Sequence, residues 1–200
     1  MSKLYQRSEY QLEAQGKTLA LVRDLLHQRN ITPIVSDGTL LGIIREGDFI
    51  PWDWDAELFV FYEEVKNIGN QLVEDFYKAG LEVIHKQFKR YNWKIVVEEG
   101  GFQVEIRSWF RENGYFKRLD DMGSEYRIPE EFMLHYQTVV LRGEQYLAPL
   151  DAEGYLSHVY GNWQTPVKSE QRRYYLNSDF FKPGLVKKSA DFVKSILRMK

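Results

Sequence analysis

Apolar side chains in the first part of the chain alternate between helical and strand-like spacing. In the first segment they recur every three or four positions, which turns one face of a helix toward a core. The elements predicted here are a helix from about Tyr10 to Gln28, a strand from Thr32 to Val35, a helix from Leu40 to Arg45, a strand from Leu58 to Tyr62 and a helix from Glu63 to Ala79. Gly80 is typical of a residue that ends a helix.

A run of segments with period-two alternation follows. Leu81 to His85, Trp93 to Glu98 and Phe102 to Trp109 alternate as strands do, and Gly100-Gly101 predicts a hairpin turn between the last two. Helices interleaved with strands, followed by consecutive strands, predict an α+β fold in which helices flank a mixed β-sheet.

The length and composition fit one domain with a small addition. A chain of 200 residues, 44% hydrophobic and 15% aromatic, buries one substantial core, which we assign to residues 1–165. Residues 166–200 form a basic extension with nine lysines and arginines against three acids, and its apolar positions from Leu185 to Leu197 predict a helix packed on the domain. Its charge suits a membrane surface, a polyanionic acceptor or an acidic patch of the domain itself, and the favoured alternative is a solvated amphipathic helix.

Composition excludes several function classes. The absence of cysteine excludes disulfides, thiolate zinc sites and a cysteine nucleophile. The four histidines lack metal-ligand spacing, and no G-x-S-x-G elbow of a serine hydrolase is present. A net charge of -2 does not suit a general nucleic-acid binder. No apolar stretch approaches the ~18 residues of a membrane span and no signal-peptide core is present, so we expect a soluble, cytoplasmic protein.

The candidate chemistry lies in residues 38–57, GTLLGIIREGDFIPWDWDAE. Asp55 and Glu57 are two apart where a strand begins, so their carboxylates lie on one face of that strand. Paired carboxylates hold hard cations such as Mg²⁺, which proteins share with substrate phosphates. The alternative is a surface turn in which Asp53, Asp55 and Glu57 are only solvated.

A turn of small residues precedes this acid pair. Ser36 to Thr39 connects a predicted strand to a predicted helix, so backbone N–H groups and the positive end of the helix dipole would face an anion such as phosphate. The alternative is that Ser36 or Asp37 simply caps the helix.

A third acid, Glu105, occupies a strand whose neighbouring residues alternate toward a core. Burying an unpaired carboxylate is costly, so Glu105 is expected to face a partner or a metal beside Asp55 and Glu57. The alternative places Glu105 on the solvent face, paired with Lys94 or Arg107.

Two segments resemble one family. Gly38-Thr-Leu-Leu-Gly-Ile-Ile-Arg45, followed by Gly47-Asp-Phe-Ile-Pro-Trp-Asp-Trp-Asp-Ala-Glu57, resembles the GTLLG…R…G-F-I-P-W-D-D-D-x-D stretch of the LicD and fukutin type of phosphotransferase. Ala148-Pro-Leu-Asp151, Tyr155-Leu156 and Tyr160-Gly-Asn-Trp163 look like the closing motif of that family. The resemblance implies a nucleotidyltransferase-like fold.

The resemblance also implies a metal site. It places Asp55 and Glu57 at the metal-binding acids, Asp53 at the acid that precedes them, and Glu105 at a later strand acid. Asp55, Glu57 and Glu105 are therefore the expected ligands of one or two Mg²⁺ or Mn²⁺ ions. Glu105 is also the expected general base for the acceptor hydroxyl.

Donor phosphates have their own expected contacts. Arg45 lies in the motif, and a guanidinium matches phosphate oxygens in a bidentate way. Gly38 and Thr39 are expected to contact phosphate through backbone and hydroxyl groups. Arg107 and Lys94 are weaker candidates, and their alternative is an ordinary charge on the sheet surface, which is favoured for Lys94.

The chain departs from the family pattern at four positions. Trp54 stands where an acid is usual, Ala56 replaces a larger apolar residue, and Glu57 and Glu105 replace aspartates. Trp54 is expected to contact the donor or the acceptor.

The implied activity is transfer of a phosphate-linked group. Phosphocholine, phosphoethanolamine, a phosphonate or a polyol phosphate would move from a CDP- or CMP-linked donor to a hydroxyl of a cell-surface glycan or a lipid-linked saccharide. One alternative is a strict nucleotidyltransferase, which moves NMP from an NTP to a small acceptor. Another is a non-catalytic relative that acts as a binding protein.

Overall fold

The computed structural model describes residues 6–166 and 177–184. The helices are α1 (Glu9–Gln28), α2 (Asp37–Glu46), α3 (Tyr62–Val65), α4 (Gly69–Lys78) and α5 (Ala152–Tyr160), with a 3-10 helix at Glu130–Met133. The strands are β1 (Ile34–Val35), β2 (Asp55–Phe61), β3 (Glu82–Lys89), β4 (Asn92–Glu99), β5 (Phe102–Glu112), β6 (Tyr115–Leu119), β7 (Glu125–Pro129), β8 (Tyr136–Leu141), β9 (Glu144–Pro149) and β10 (Phe181–Lys182).

The described strands form one mixed sheet centred on β5. The main path runs β10-β7-β6-β5-β2-β1-β9-β8, and β4 also pairs with β5 and carries β3. Strand β5 is long enough to pair with β4 along its first half and with β6 along its last residues. The pairs β2–β5 and β1–β9 are parallel and the others are antiparallel. The predicted α+β fold with a mixed sheet is confirmed.

The two faces of the central strands have different characters. On one face Leu58 pairs with Ile106, and the alternate residues of both strands are fully buried beneath α1. On the other face the register places Glu57 opposite Glu105 and Phe59 opposite Arg107. Because side chains alternate along a strand, the first face builds the core while the second brings charged groups together near α2.

Several predicted elements have different limits in the structure. The helix predicted over Glu63 to Ala79 is two helices, α3 and α4, because the chain turns after Val65. The turn brings Gly69 against Phe88, where a Cβ atom would lie 2.7 Å from the ring. The apolar spacing continues across the turn, which explains why the pattern predicts one helix. The pattern also does not indicate the strands from β6 to β9.

The end of the chain adds one strand to the sheet. Phe181 and Lys182 pair with β7, and Phe180 is buried beside it. The helix predicted from Leu185 to Leu197 lies outside the described residues, so its packing on the domain stays a prediction. Within the described residues, no helix combines the length and apolar character that crossing a membrane requires.

The core face of β5 supports a stability prediction. Ile106 is completely buried between Leu58 and Ile95, so replacement of Ile106 by alanine leaves a cavity. We expect Ile106→Ala to lower the free energy of unfolding by about 2–5 kcal/mol. Ile84→Ala is the matched control, because Ile84 is 41% exposed on β3. Urea titration followed by circular dichroism measures both, and equal losses would contradict this description of the core.

Candidate functional site

Three acids gather at the start of β2. One carboxylate oxygen from each of Asp53, Asp55 and Glu57 lies within 4.8 Å of the others, and all three residues are partly exposed. Asp55 and Glu57 share a strand face, and Asp53 precedes the strand by two residues. Such a set of carboxylate oxygens suits hard divalent cations. The structure thus groups Asp53 with the two acids, whereas Glu105 is not part of this cluster.

Glu57 is held against the N-terminus of α2 by Thr39. The backbone N–H of Thr39 donates to Glu57 Oε2 at 3.0 Å, and the Thr39 hydroxyl donates to the same oxygen at 2.9 Å. In return, the Glu57 N–H donates to Thr39 Oγ1 at 2.8 Å. The helix dipole favours a negative charge at this end. The anion at this helix N-terminus is therefore the protein's own Glu57 carboxylate.

Gly38 allows the acids to approach the helix closely. A Cβ atom on residue 38 would lie 2.6 Å from Asp53 Oδ2 and 3.2 Å from Glu57 Oε1. The first distance is too short for any side chain, so a glycine is required for this packing. Gly38 thus sets the distance between the helix and the acids.

Asp37, which the sequence indicated only as a possible helix cap, is the first residue of α2. It is a non-glycine residue with φ of 48°, in the left-handed region. Its Oδ1 accepts from the Tyr155 hydroxyl at 3.4 Å. Burial raises the pKa of Asp37 above its ordinary value, although the charges of Arg118 and Arg107 oppose that change.

The closing motif lies over the acids. Burial raises the pKa of the Tyr155 and Tyr160 hydroxyls, and the charge of Asp37 raises both further. The charges of Glu57 and Asp53 also raise the pKa of Tyr160. The two segments that carry the family resemblance therefore lie close together in space. Membership of the closing motif was the signal by which the sequence pointed to these tyrosines.

Arg45 joins the same two segments. It lies in the last turn of α2, about 9 Å along the helix axis from Thr39. Its Nη1 donates to the Trp163 carbonyl at 3.1 Å and its Nε donates to Glu46 Oε1 at 2.8 Å. These contacts link the first motif to the closing motif. Binding of a donor phosphate by Arg45 stays a prediction.

Glu105 lies beside the acid cluster but is engaged elsewhere. Its carboxylate pairs with the Arg107 guanidinium through two hydrogen bonds, and Lys94 Nζ lies 3.9 Å away. Burial favours the protonated acid, yet the charge and hydrogen bonding of Arg107 hold the pKa of Glu105 below its ordinary value. These are the partners of the alternative stated for Glu105, although its side chain is largely buried rather than on a solvent face. Ligation of a metal by Glu105 stays a prediction.

Trp54 lines an open pocket at the surface. Its side chain is exposed, with 55% of its surface accessible. With Trp52, Phe102 and Arg7 it lines a pocket of about 250 Å³ at the start of β2. Trp54 lies between Asp53 and Asp55 in the sequence, so the pocket adjoins the chain segment that carries the acid cluster.

Two solved structures of the same protein resemble the fold. The solution structure of the antibiotic-resistance factor ANT(2'')-Ia gives a TM-score of 0.46 at 14% identity, covering 69% of this chain and 66% of that one. The crystal structure of ANT(2'')-Ia in complex with adenylyl-2''-tobramycin gives a TM-score of 0.44 at 13% identity, covering 68% and 69%.

Two curated proteins are similar in sequence. Ribitol 5-phosphate transferase FKRP of Mus musculus and its counterpart of Homo sapiens are each 24% identical to this chain over 160 residues. The aligned region is 76% of this chain and 30% of each relative. The chain therefore spans less than a third of the length of these relatives.

A family model matches most of the domain. Residues 30–151 match the nucleotidyltransferase domain described as LicD/FKTN/FKRP. The matched range contains α2, the three clustered acids and Glu105. The range contains the first motif and ends before Tyr155 to Trp163 of the closing motif. The predicted family is confirmed, and the chain belongs to the LicD/FKTN/FKRP nucleotidyltransferase-domain family.

Proposed function

We propose that this protein transfers a phosphate-linked substituent from a CDP- or CMP-linked donor to a hydroxyl of a glycan or lipid-linked saccharide. The observation that carries the proposal is the cluster of Asp53, Asp55 and Glu57 against the N-terminus of α2 in a chain of this family. Among the expected substituents, the names of the two FKRP relatives favour a polyol phosphate.

The acid cluster fits a divalent metal ion. Its three carboxylates supply the oxygen ligands that Mg²⁺ and Mn²⁺ prefer. One oxygen from each already lies within 4.8 Å of the others in the folded chain. Asp53, Asp55 and Glu57 would hold the ion, with Glu105 as the further predicted ligand. When bound, such an ion supplies positive charge that stabilises the phosphate oxygens in the transition state.

Thr39 and Gly38 fix the orientation of these acids before any ligand arrives. Thr39 engages one oxygen of Glu57 with two donors, so rotation of that carboxylate breaks two hydrogen bonds. Gly38 keeps the space that Asp53 occupies. Ligands held in place by surrounding contacts lose less conformational freedom when a substrate binds.

Glu105 is the proposed general base for the acceptor hydroxyl. The charge and hydrogen bonds of Arg107 hold the pKa of Glu105 below its ordinary value, which keeps the carboxylate ionised and also makes it a weaker base while it is paired with Arg107. Its position opposite Glu57 in the parallel pair places it on the same face as the acid cluster. The acceptor proton would pass to this carboxylate as the acceptor oxygen attacks the phosphorus of the transferred group, while the bond from that phosphorus to CMP breaks and CMP leaves.

Trp54 is the proposed contact for the donor or the acceptor. An exposed indole beside a pocket offers an apolar face on which a sugar or base ring stacks. Cation–π attraction at the same indole would suit a choline group instead.

Transfer is tested by measuring CMP release in the presence of Mg²⁺. CDP-ribitol, CDP-glycerol, CDP-choline and CDP-ethanolamine are the donors, each with and without a saccharide acceptor. We expect CMP release that depends on both the acceptor and the ion. Release of pyrophosphate from CTP without transfer from any CDP-linked donor would instead identify a strict nucleotidyltransferase. Absence of Mg²⁺-dependent cytidine nucleotide binding would indicate a non-catalytic relative.

Loss of one clustered carboxylate should abolish transfer. Asp55→Asn removes a charge from the set that would hold the ion, and we expect kcat/KM to fall on the order of 100-fold or more. The matched control is Asp24→Asn, because Asp24 pairs with Arg23 on the exposed side of α1. Steady-state CMP release measures both variants. Full activity in Asp55→Asn would contradict the assignment.

Closing the space above Asp53 should weaken metal binding without unfolding the domain. In Gly38→Ala the new Cβ displaces the Asp53 carboxylate, and we expect Mn²⁺ affinity to fall by about tenfold. The matched control is Gly16→Ala in α1, where the nearest atom is a flexible arginine side-chain carbon at 3.2 Å. Isothermal titration with Mn²⁺ gives the affinities, and thermal unfolding checks the fold. Unchanged affinity in Gly38→Ala would argue against the cluster as the metal site.

A further inference from the structure

Three cationic side chains gather on the sheet face that carries the acid cluster. Lys94 on β4 lies opposite Arg107 on β5 in the antiparallel pair. Arg107 is two residues beyond Glu105, so both point to the same face. Arg118 on β6 stacks over Trp109, which is two residues further along that face. The three cations therefore form a continuous group next to Glu105.

Arg118 is a buried cation with an unsatisfied donor. Only 8% of its surface is exposed, and its guanidinium carbon lies 3.8 Å from the Tyr126 ring centre and 4.9 Å from that of Trp109. Within the ranges 6–166 and 177–184, its Nε finds no hydrogen-bond partner. Burial, and then the charge of Arg107, lowers its pKa. A buried charge without a hydrogen-bonded counterion is costly, so a partner is expected.

The carboxylates nearby do not supply that partner. Glu105 forms both of its hydrogen bonds with Arg107 and lies 3.9 Å from Lys94. Asp37 attracts Arg107 and Arg118, and Asp121 attracts Lys94, but none of these pairs comes within ion-pair distance in the described part of the chain. The group thus keeps donors available for an additional anion.

The cationic group is reachable and borders the acid cluster. The Lys94 side chain has 13% of its surface accessible to solvent and that of Arg107 has 19%, while Arg118 is more deeply buried. Glu105, which binds Arg107, lies opposite Glu57 in the register, so it is about 5 Å, one strand spacing, from the acid cluster, and the cations lie just beyond it. A ligand with two linked phosphates would span this distance.

We propose that Lys94, Arg107 and Arg118 form an anion subsite that binds a phosphate of the donor diphosphate beside the acid cluster. The inference rests on the proposed function for the identity of the ligand. The two arginines supply planar N–H donors that match phosphate oxygens, and Lys94 adds a point charge beside Arg107. The acids and the cations then hold neighbouring parts of one ligand.

The subsite is tested by anion binding without metal. Isothermal titration of the full chain with CDP, in EDTA, isolates the cations because the acid cluster alone repels a diphosphate. We expect wild-type protein to bind CDP and Lys94→Met to bind it about tenfold more weakly, because one charge-assisted contact is lost. Arg118→Met should show at least the same loss. Arg111→Met is the matched control, since Arg111 lies on β5 but is exposed and paired with Glu130.

Several outcomes would overturn the subsite. The first is the absence of CDP binding in EDTA, and the second is equal affinity of Lys94→Met and wild type for CDP. The third is tighter binding of ribose 5-phosphate than of CDP, which would assign the site to a phosphorylated acceptor. Thermal unfolding shows whether Arg118→Met remains folded, and Lys94→Met carries the test if it does not. The titration needs neither metal nor turnover. Failure of the transfer assay therefore leaves the subsite standing, and failure of the subsite leaves the transfer proposal standing.

Discussion

The reciprocal pairing of Thr39 with Glu57 is the contact on which the site depends. It fastens the start of α2 to the start of β2 through three hydrogen bonds between two residues. Gly38 makes the approach sterically feasible, and Asp53 fills the space that the glycine leaves. A helix N-terminus that elsewhere would bind a substrate anion here positions a carboxylate. The acids are consequently oriented by the fold itself.

One face of the sheet carries charges of both signs in a fixed order. The acids lie at the start of β2, Glu105 follows on β5, and the cations Lys94, Arg107 and Arg118 lie beyond it. The low polarity of this half-buried face strengthens each interaction relative to water. Such an order suits a phosphate-bearing ligand. A metal ion held by the acids would contact one end of this ligand, and the arginines would contact the other end.

Much of the fold class, and the grouping of Asp55 with Glu57, followed from sequence. An apolar run predicted β2 and period-two spacing predicted β5, and the motif around Asp55 pointed to the acids that the structure brings together. The partners of Glu105 and the burial of Arg118 did not follow, because both depend on which strands become neighbours. Strand order arises from long-range pairing, and no local pattern in one sequence encodes it. For the same reason, the hydrogen bond between Arg45 and the Trp163 carbonyl did not follow from the sequence.

The most direct test of the central claim is to locate a bound metal. Crystals of the protein soaked in Mn²⁺ would be measured near the manganese absorption edge, where anomalous scattering marks the ion. The account predicts an anomalous peak bounded by the carboxylates of Asp55 and Glu57, with Asp53 beside it. A peak at another group of acids, or none at saturating Mn²⁺, would contradict it.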